Sequence, residues 1–145
     1  MAGKKRIGSS DLGIDLDKPT DGRLFKWLVA CLLFGTRISQ EIAADAYRAL
    51  DEDGVLTPKK LADADWQHLV DLLGKGHYRR YDESKARELI TLGRDVLDKY
   101  DGKLSRLAEG ADSTAELTRR LQDFTGIGPT AARIFLRDVG DTWKR

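Results

Sequence analysis

The segment GRLFKWLVACLLF, at about residues 22–34, constrains the fold of this chain more than any other. After Lys26 it is apolar on nearly every side, and a helix of that kind has to be enclosed by other elements. Thr20 or Asp21 can cap its first turn. We therefore expect a buried central helix with the rest of the chain packed around it.

Further helices are indicated by capping residues and by apolar residues at helical spacing. The candidate N-caps are Ser39, Thr57, Asp65 and Ser113, the last in a capping-box pattern with Glu116. The predicted spans are about 40–50, a short helix from Pro58, 66–73, 83–99, 114–123 and 129–139. Because no stretch alternates with a period of two, the chain predicts an all-α, compact domain of six to eight helices.

The polar start of the chain indicates how many domains it has, and its single cysteine limits its disulfides and cofactors. Residues 1–20 are polar with little periodicity, so we expect a flexible N-terminal arm before a single helical domain over residues 21–145. Cys31 has no second cysteine to pair with, which excludes an internal disulfide and a cysteine-held iron–sulfur cluster. A lone cysteine also favours the reducing cytoplasm.

Charge is segregated along the chain although its net value is only +1. Residues 43–73 hold three Lys/Arg against seven Asp/Glu, a net of −4. Residues 74–87 hold five against two, and residues 118–145 hold six against three, a net of +3 in each case. A polyanion would therefore prefer the second half, although solvated helix faces would give the same pattern.

The turn between the last two predicted helices has the sequence TGIGP. Gly126 and Gly128 permit positive φ or close approach, and Pro129 suits the first helical position. The free N–H groups and positive dipole of a helix start can bind a phosphate, with Thr130 as a further donor and Arg133 one turn later. A plain tight turn between two helices is the alternative.

A second candidate contact is the glycine-flanked loop GKGHYRRYDES. Basic and aromatic side chains are interleaved there, in the run His77, Tyr78, Arg79, Arg80 and Tyr81. That composition suits phosphates and stacking on an exposed base. The alternative is a surface loop whose tyrosines pack on a neighbouring helix.

The segment LQDFTGIGPTAARIFL resembles a helix-hairpin-helix motif, and more of the chain agrees with one family. FKWLVACLLFGTRIS is similar to the first core helix and following break of the endonuclease III type of DNA glycosylase. The stretch from LTPKKLADADW to the long helix opened by Lys-Ala is similar to the next part of that family. The resemblance covers roughly residues 24–139.

This resemblance implies an endonuclease III-like, all-helical fold that binds duplex DNA in base-excision repair. Backbone amides near Gly126, Ile127, Gly128 and Thr130 would contact phosphates. Thr36 or Arg37 would fill the gap left by a flipped base, or Arg37 would contact a phosphate. Carbonyls of the hairpin would hold a monovalent cation, Na⁺ or K⁺, at Gln122, Phe124 and Ile127.

The chain departs from the family at its catalytic positions. Bifunctional members carry a lysine nucleophile where Thr130 stands, and a hydroxyl cannot form the Schiff base of the lyase step. The family's aspartate falls beyond Arg145. Asp138 should lie on the last helix and Asp141 just past it, so Asp141 is a candidate only if the backbone folds back.

The sequence thus predicts a shortened, DNA-binding member of this DNA repair superfamily without full glycosylase or lyase activity. It predicts duplex DNA as partner and no membrane. The expected location is the cytoplasm, with the nucleoid in a bacterium. Two alternatives stay open: an active monofunctional DNA glycosylase, and a helical interaction module that has lost DNA binding.

Overall fold

A computed structural model describes the backbone of residues 7–143 and the side chains of residues 7–139. Within that range the chain is entirely helical and has no strand, which confirms the all-α prediction. None of these helices is long and apolar enough to cross a lipid bilayer. The α-helices are α1 (Asp21–Phe34), α2 (Gln40–Asp53), α3 (Pro58–Ala62), α4 (Trp66–Lys75), α5 (Asp82–Tyr100), α6 (Thr114–Gln122) and α7 (Pro129–Trp143), with 3-10 helices at Ser9–Leu12 and Leu104–Ala108.

Helix α1 lies at the centre of the fold, as its composition predicts. Helices α2 and α7 and the second 3-10 helix pack against it. The Trp27 indole N–H donates to the Phe135 carbonyl of α7 at 3.3 Å, so the polar atom of this fully buried ring is satisfied. The buried residues of α1 are Leu24, Phe25 and every residue from Trp27 to Phe34.

The predicted caps begin the helices where expected. In each case the side chain accepts the N–H three residues later, which satisfies one of the free donors of the first turn. The cap residues are Thr20, Ser39, Thr57, Asp65 and Ser113. The capping box at α6 is only half formed, because the Glu116 carboxylate binds Arg119 and Arg120 instead.

Residues 7–20 are packed against the domain, which corrects the expectation of a flexible arm for this part of the chain. Ile7, Ile14 and Leu16 are buried in the core. The Ser9 N–H donates to Asp138 Oδ2 at 2.9 Å. Three apolar side chains spaced along a polar stretch show no period, so their burial could not be deduced locally. Residues 1–6 lie outside the described range.

The end of α4 lies directly against α2. A Cβ at Gly76 would stand 2.5 Å from the Ala46 backbone nitrogen, a distance that no side chain could accept. The helix continues to Lys75, past the predicted stop at Gly74, and Gly76 follows it where the chain lies against α2. This contact fixes where the loop that follows α4 begins.

Candidate nucleic-acid interface

Helices α6 and α7 pack against each other and are joined by a tight turn over residues 123–128. The Ile127 N–H donates to the Phe124 carbonyl at 3.1 Å, and Gly126 has φ +89°. The first intrahelical bond of α7 runs from the Ala132 N–H to the Gly128 carbonyl at 3.0 Å. The Thr130 N–H comes earlier in the helix than Ala132, so it is one of the N–H groups that have no acceptor within the helix.

The two glycines of the turn have different surroundings. A Cβ at Gly126 would stand 2.6 Å from Glu88 Oε1 and 3.2 Å from a methyl of Leu32, so a side chain would displace Glu88 and would also be strained by the φ of +89°. At Gly128 a Cβ would meet no atom within 4 Å. Gly126 therefore packs the turn onto α1 and α5, while Gly128 is open on the side that leads to the α7 amides.

Two apolar side chains anchor the turn. Phe124 and Ile127 are each 2% exposed, and the Phe124 ring packs edge-on against Tyr100 of α5. Ile127 can therefore reach a ligand only through its backbone. Lys99 also lies against the Phe124 ring, with Nζ 6.0 Å from its centre, a contact that the sequence did not reveal.

The break after α1 lies beside the start of α7. Gly35 packs against Ala131, because a Cβ at Gly35 would be 3.2 Å from the Ala131 Cβ. The Thr36 hydroxyl lies 2.8 Å from the Tyr78 hydroxyl and 3.2 Å from the Leu33 carbonyl, and its single proton can be donated to either oxygen. Arg37 is exposed. Of the two candidates in this break, Arg37 is therefore the one whose side chain faces solvent, while Thr36 is engaged within the fold.

The basic loop after α4 is divided between surface and core. His77, Arg79 and Arg80 are exposed, as expected for contacts to a nucleic acid. Tyr78 is 0% exposed, and its hydroxyl donates to the Leu33 carbonyl at 3.1 Å. Burial raises its pKa to about 12, against the opposing hydrogen bond with Thr36. The prediction that Tyr78 contacts DNA is therefore wrong, and its role is to anchor the loop to α1.

These contacts bring three segments together, which we call the interface segments: residues 35–38, 76–80 and 123–130. The first meets the start of α7, directly after the third, where Gly35 packs on Ala131. It meets the second through the Thr36–Tyr78 hydroxyl pair. Arg133, in the first turns of α7, is exposed. Separate parts of the sequence are thus joined by contacts within the fold, and each part also has exposed residues or helix-start amides.

The carbonyls of Gln122, Phe124 and Ile127 lie at the end of α6 and in the turn. The Phe124 carbonyl accepts the Ile127 N–H and keeps a second lone pair. The monovalent cation that the resemblance implies at these carbonyls stays a prediction. Among the described residues no group of three or more His, Cys, Asp or Glu side chains is arranged to hold a metal.

The two aspartates at the end of the chain have separate positions. Asp138 accepts the Ser9 N–H and binds Arg137 at 2.9 Å. Partial burial opposes its ionisation, but the hydrogen bonds from Arg137 and Ser9 outweigh it and lower its pKa. Helix α7 continues to Trp143, so Asp141 lies within the helix and not just past it. The side chain of Asp141 falls outside the described residues.

Comparison with known proteins identifies no family. No protein-family model matches the chain, and no curated protein gives a match. A functional assignment therefore depends on the geometry of the interface segments.

Proposed function

We propose that this protein binds the sugar–phosphate backbone of duplex DNA through the interface segments. The observation that carries the proposal is the direct contact between the α6–α7 hairpin, the break that holds Arg37 and the basic loop. Each segment offers phosphate-binding groups by itself, and these contacts hold the three segments in one region of the fold. Contacts of this kind set the position of a protein on DNA without reading its sequence.

The α6–α7 turn supplies neutral donors and the other two segments supply charge. The amides at the start of α7, with the open Gly128 beside them, would bind one phosphate at the positive end of the helix dipole. Arg37, Arg79 and Arg80 would bind neighbouring phosphates as charged donors. A Na⁺ or K⁺ ion on the turn carbonyls would add positive charge next to the bound phosphate.

The same residues support DNA binding more than catalysis. The resemblance to helix-hairpin-helix glycosylases places the lyase nucleophile at the position of Thr130, whose hydroxyl cannot form a Schiff base. Asp138 is held by Ser9 and Arg137, more than two helical turns along α7 from the glycine turn. We therefore propose a DNA-binding member of that superfamily without full glycosylase or lyase activity.

A substitution at Gly128 tests the proposal because the position tolerates a side chain. No positive φ and no neighbouring atom within 4 Å oppose Gly128→Leu, so the variant should keep the circular dichroism spectrum and Tm of the parent. The new side chain would cover the α7 amides. Titration of a short fluorescent duplex at low salt should then show about tenfold weaker binding.

Gly22→Leu is the matched control. Gly22 lies in the first turn of α1, where a Cβ would also meet no atom within 4 Å, but this helix starts outside the interface segments. Its affinity should equal that of the parent. Absence of binding by the parent at low salt, or equal affinity of the parent and Gly128→Leu, would contradict the proposal. Base release from duplexes carrying uracil, oxidised or alkylated bases, abolished by Asp141→Asn, would instead establish a glycosylase.

A further inference from the structure

An ion pair between a buried lysine and a partly buried glutamate lies directly behind the α6–α7 turn. Lys85, in the first turns of α5, is 7% exposed, and its Nζ is 2.7 Å from Glu88 Oε1. The same carboxylate oxygen is the atom nearest to Gly126, where it would be 2.6 Å from a Cβ. A lysine so far removed from water requires a charged partner, and here that partner fills the space against the turn.

The pair is also connected to the basic loop. The Lys85 amide donates to the Tyr81 carbonyl at 2.8 Å, at the point where the loop becomes α5. Glu88 is close enough to Tyr78 for its charge to raise the pKa of the phenol, after the larger effect of burial. Tyr78 in turn is bonded to Thr36 and to the Leu33 carbonyl of α1. Glu88 therefore lies against the turn at Gly126, and its charge acts on Tyr78, the residue through which the basic loop meets the break after α1.

We propose that Lys85 and Glu88 are a positioning pair, which holds the α6–α7 turn in a fixed place relative to the basic loop. Neither side chain needs to touch a ligand. Glu88 packs on Gly126 from behind, and Lys85 keeps the carboxylate in that position. For the DNA-binding role the inference rests on the proposed function, because a correctly placed turn matters there only if its amides bind phosphates.

The charge and the shape of Glu88 can be separated by substitution. Glu88→Gln keeps the size of the side chain but leaves Lys85 as an unpaired buried charge. The double variant Lys85→Met, Glu88→Gln removes both charges, so it should fold even if the single variant does not. Leu50→Val, a mild truncation of a fully buried α2 residue, serves as a control for general loss of stability.

The first measurement needs no DNA. Amide hydrogen exchange, followed by peptide, should be about tenfold faster over residues 123–131 in the double variant, with α2 to α4 unchanged. Leu50→Val should not produce that local pattern. If exchange at the turn equals that of the parent, or rises equally along the whole chain, the pair is only structural and the inference is overturned.

The second measurement uses the fluorescent duplex over a range of salt. The double variant should bind about tenfold more weakly, with an unchanged slope of log K against log salt, because the amides that it displaces are neutral. If the double variant shows faster exchange at the turn but binds the duplex as tightly as the parent, the Lys85–Glu88 pair has no role in DNA binding. If the parent itself binds no DNA, the proposed function fails, and hydrogen exchange still decides whether the pair positions the turn.

Discussion

At the scale of single residues, His77 has a backbone conformation that glycine normally occupies. Its φ is +68°, directly after the end of α4. The His77 N–H donates to the Gly74 carbonyl at 2.9 Å, and the Tyr78 N–H donates to the Leu73 carbonyl at 3.0 Å. This is the Schellman pattern, in which the left-handed position costs a side chain about 1 kcal/mol. The His77 imidazole is exposed beside Arg79 and Arg80, so it is available to the proposed interface.

We expect His77→Gly to stabilise the protein and to weaken DNA binding. Relief of the left-handed conformation should raise the free energy of unfolding by about 0.5–1 kcal/mol, measured by urea denaturation. Loss of the ring should reduce affinity for the fluorescent duplex about threefold, since one exposed contact is removed. Tighter or equal DNA binding by the variant would show that the imidazole serves no role at the interface.

Asp101 provides the matched control for this prediction. It is the other described non-glycine residue with positive φ, at +57°, and it ends α5. Asp101→Gly should give a similar gain in stability. It should not weaken DNA binding, because the change removes a negative charge and no donor.

At the scale of secondary structure, the starts of the helices were predictable and several other features were not. Caps such as Ser39 and Asp65 act on amides three residues away, so the local sequence contains the whole signal. The need for glycine at position 76 depends on a backbone contact with α2, which is remote in the sequence. Tyr78 is buried for the same kind of reason, since its hydroxyl partners come from α1 and from the break after it.

The candidate site shows the same division between local and remote information. The glycine turn and the arginines of the basic loop could be predicted, because their residue types suit phosphate directly. The role of Glu88 could not be predicted. The pattern of an amphipathic helix shows which side faces inward, but not that this carboxylate will contact a glycine in the α6–α7 turn. The Lys85–Glu88 spacing of three residues is common on solvated helix faces and did not stand out.

The packing of the N-terminal segment on α7 should depend on pH through Asp138. Its folded-state pKa is lowered, so its ionisation stabilises the fold fully above the unfolded value near 4, and the stabilisation is lost as pH falls through the folded value below that. We expect Asp138→Asn to reduce the free energy of unfolding by about 1 kcal/mol at pH 7. Urea denaturation from pH 7 to pH 3 should show the parent and the variant converging at the acid end.

Asp112→Asn is the control for that titration. Asp112 is exposed in the loop before α6, so its replacement should leave the curve of stability against pH close to that of the parent. Hydrogen exchange at the Ser9 amide gives a local measurement, because that N–H donates to the Asp138 carboxylate. If the free energies of unfolding of the parent and of Asp138→Asn differ by the same amount at pH 7 and at pH 3, ionised Asp138 does not stabilise the fold, which would contradict the prediction.

At the scale of the whole molecule, the small net charge conceals a separation of charge along the chain. Residues 43–73, with net charge −4, form most of α2 together with α3 and nearly all of α4. The interface segments carry arginines from other parts of the chain. A polyanion would be repelled by one part and attracted to the other, which orients its approach without a large total charge. The net value of +1 is therefore compatible with binding DNA at low affinity and with strong dependence on salt.

The salt dependence of binding should separate charged from neutral contacts across the surface. Arg79→Gln and Arg80→Gln should each reduce the slope of log K against log salt by about 0.9, because each removes one cation from a phosphate. Gly128→Leu should weaken binding with no change of slope. Lys59→Gln is the control, since Lys59 pairs with Asp63 within the acidic part of the chain. A change of slope with Lys59→Gln equal to that with either arginine variant would mean that DNA is attracted by charge in general and not by the interface segments.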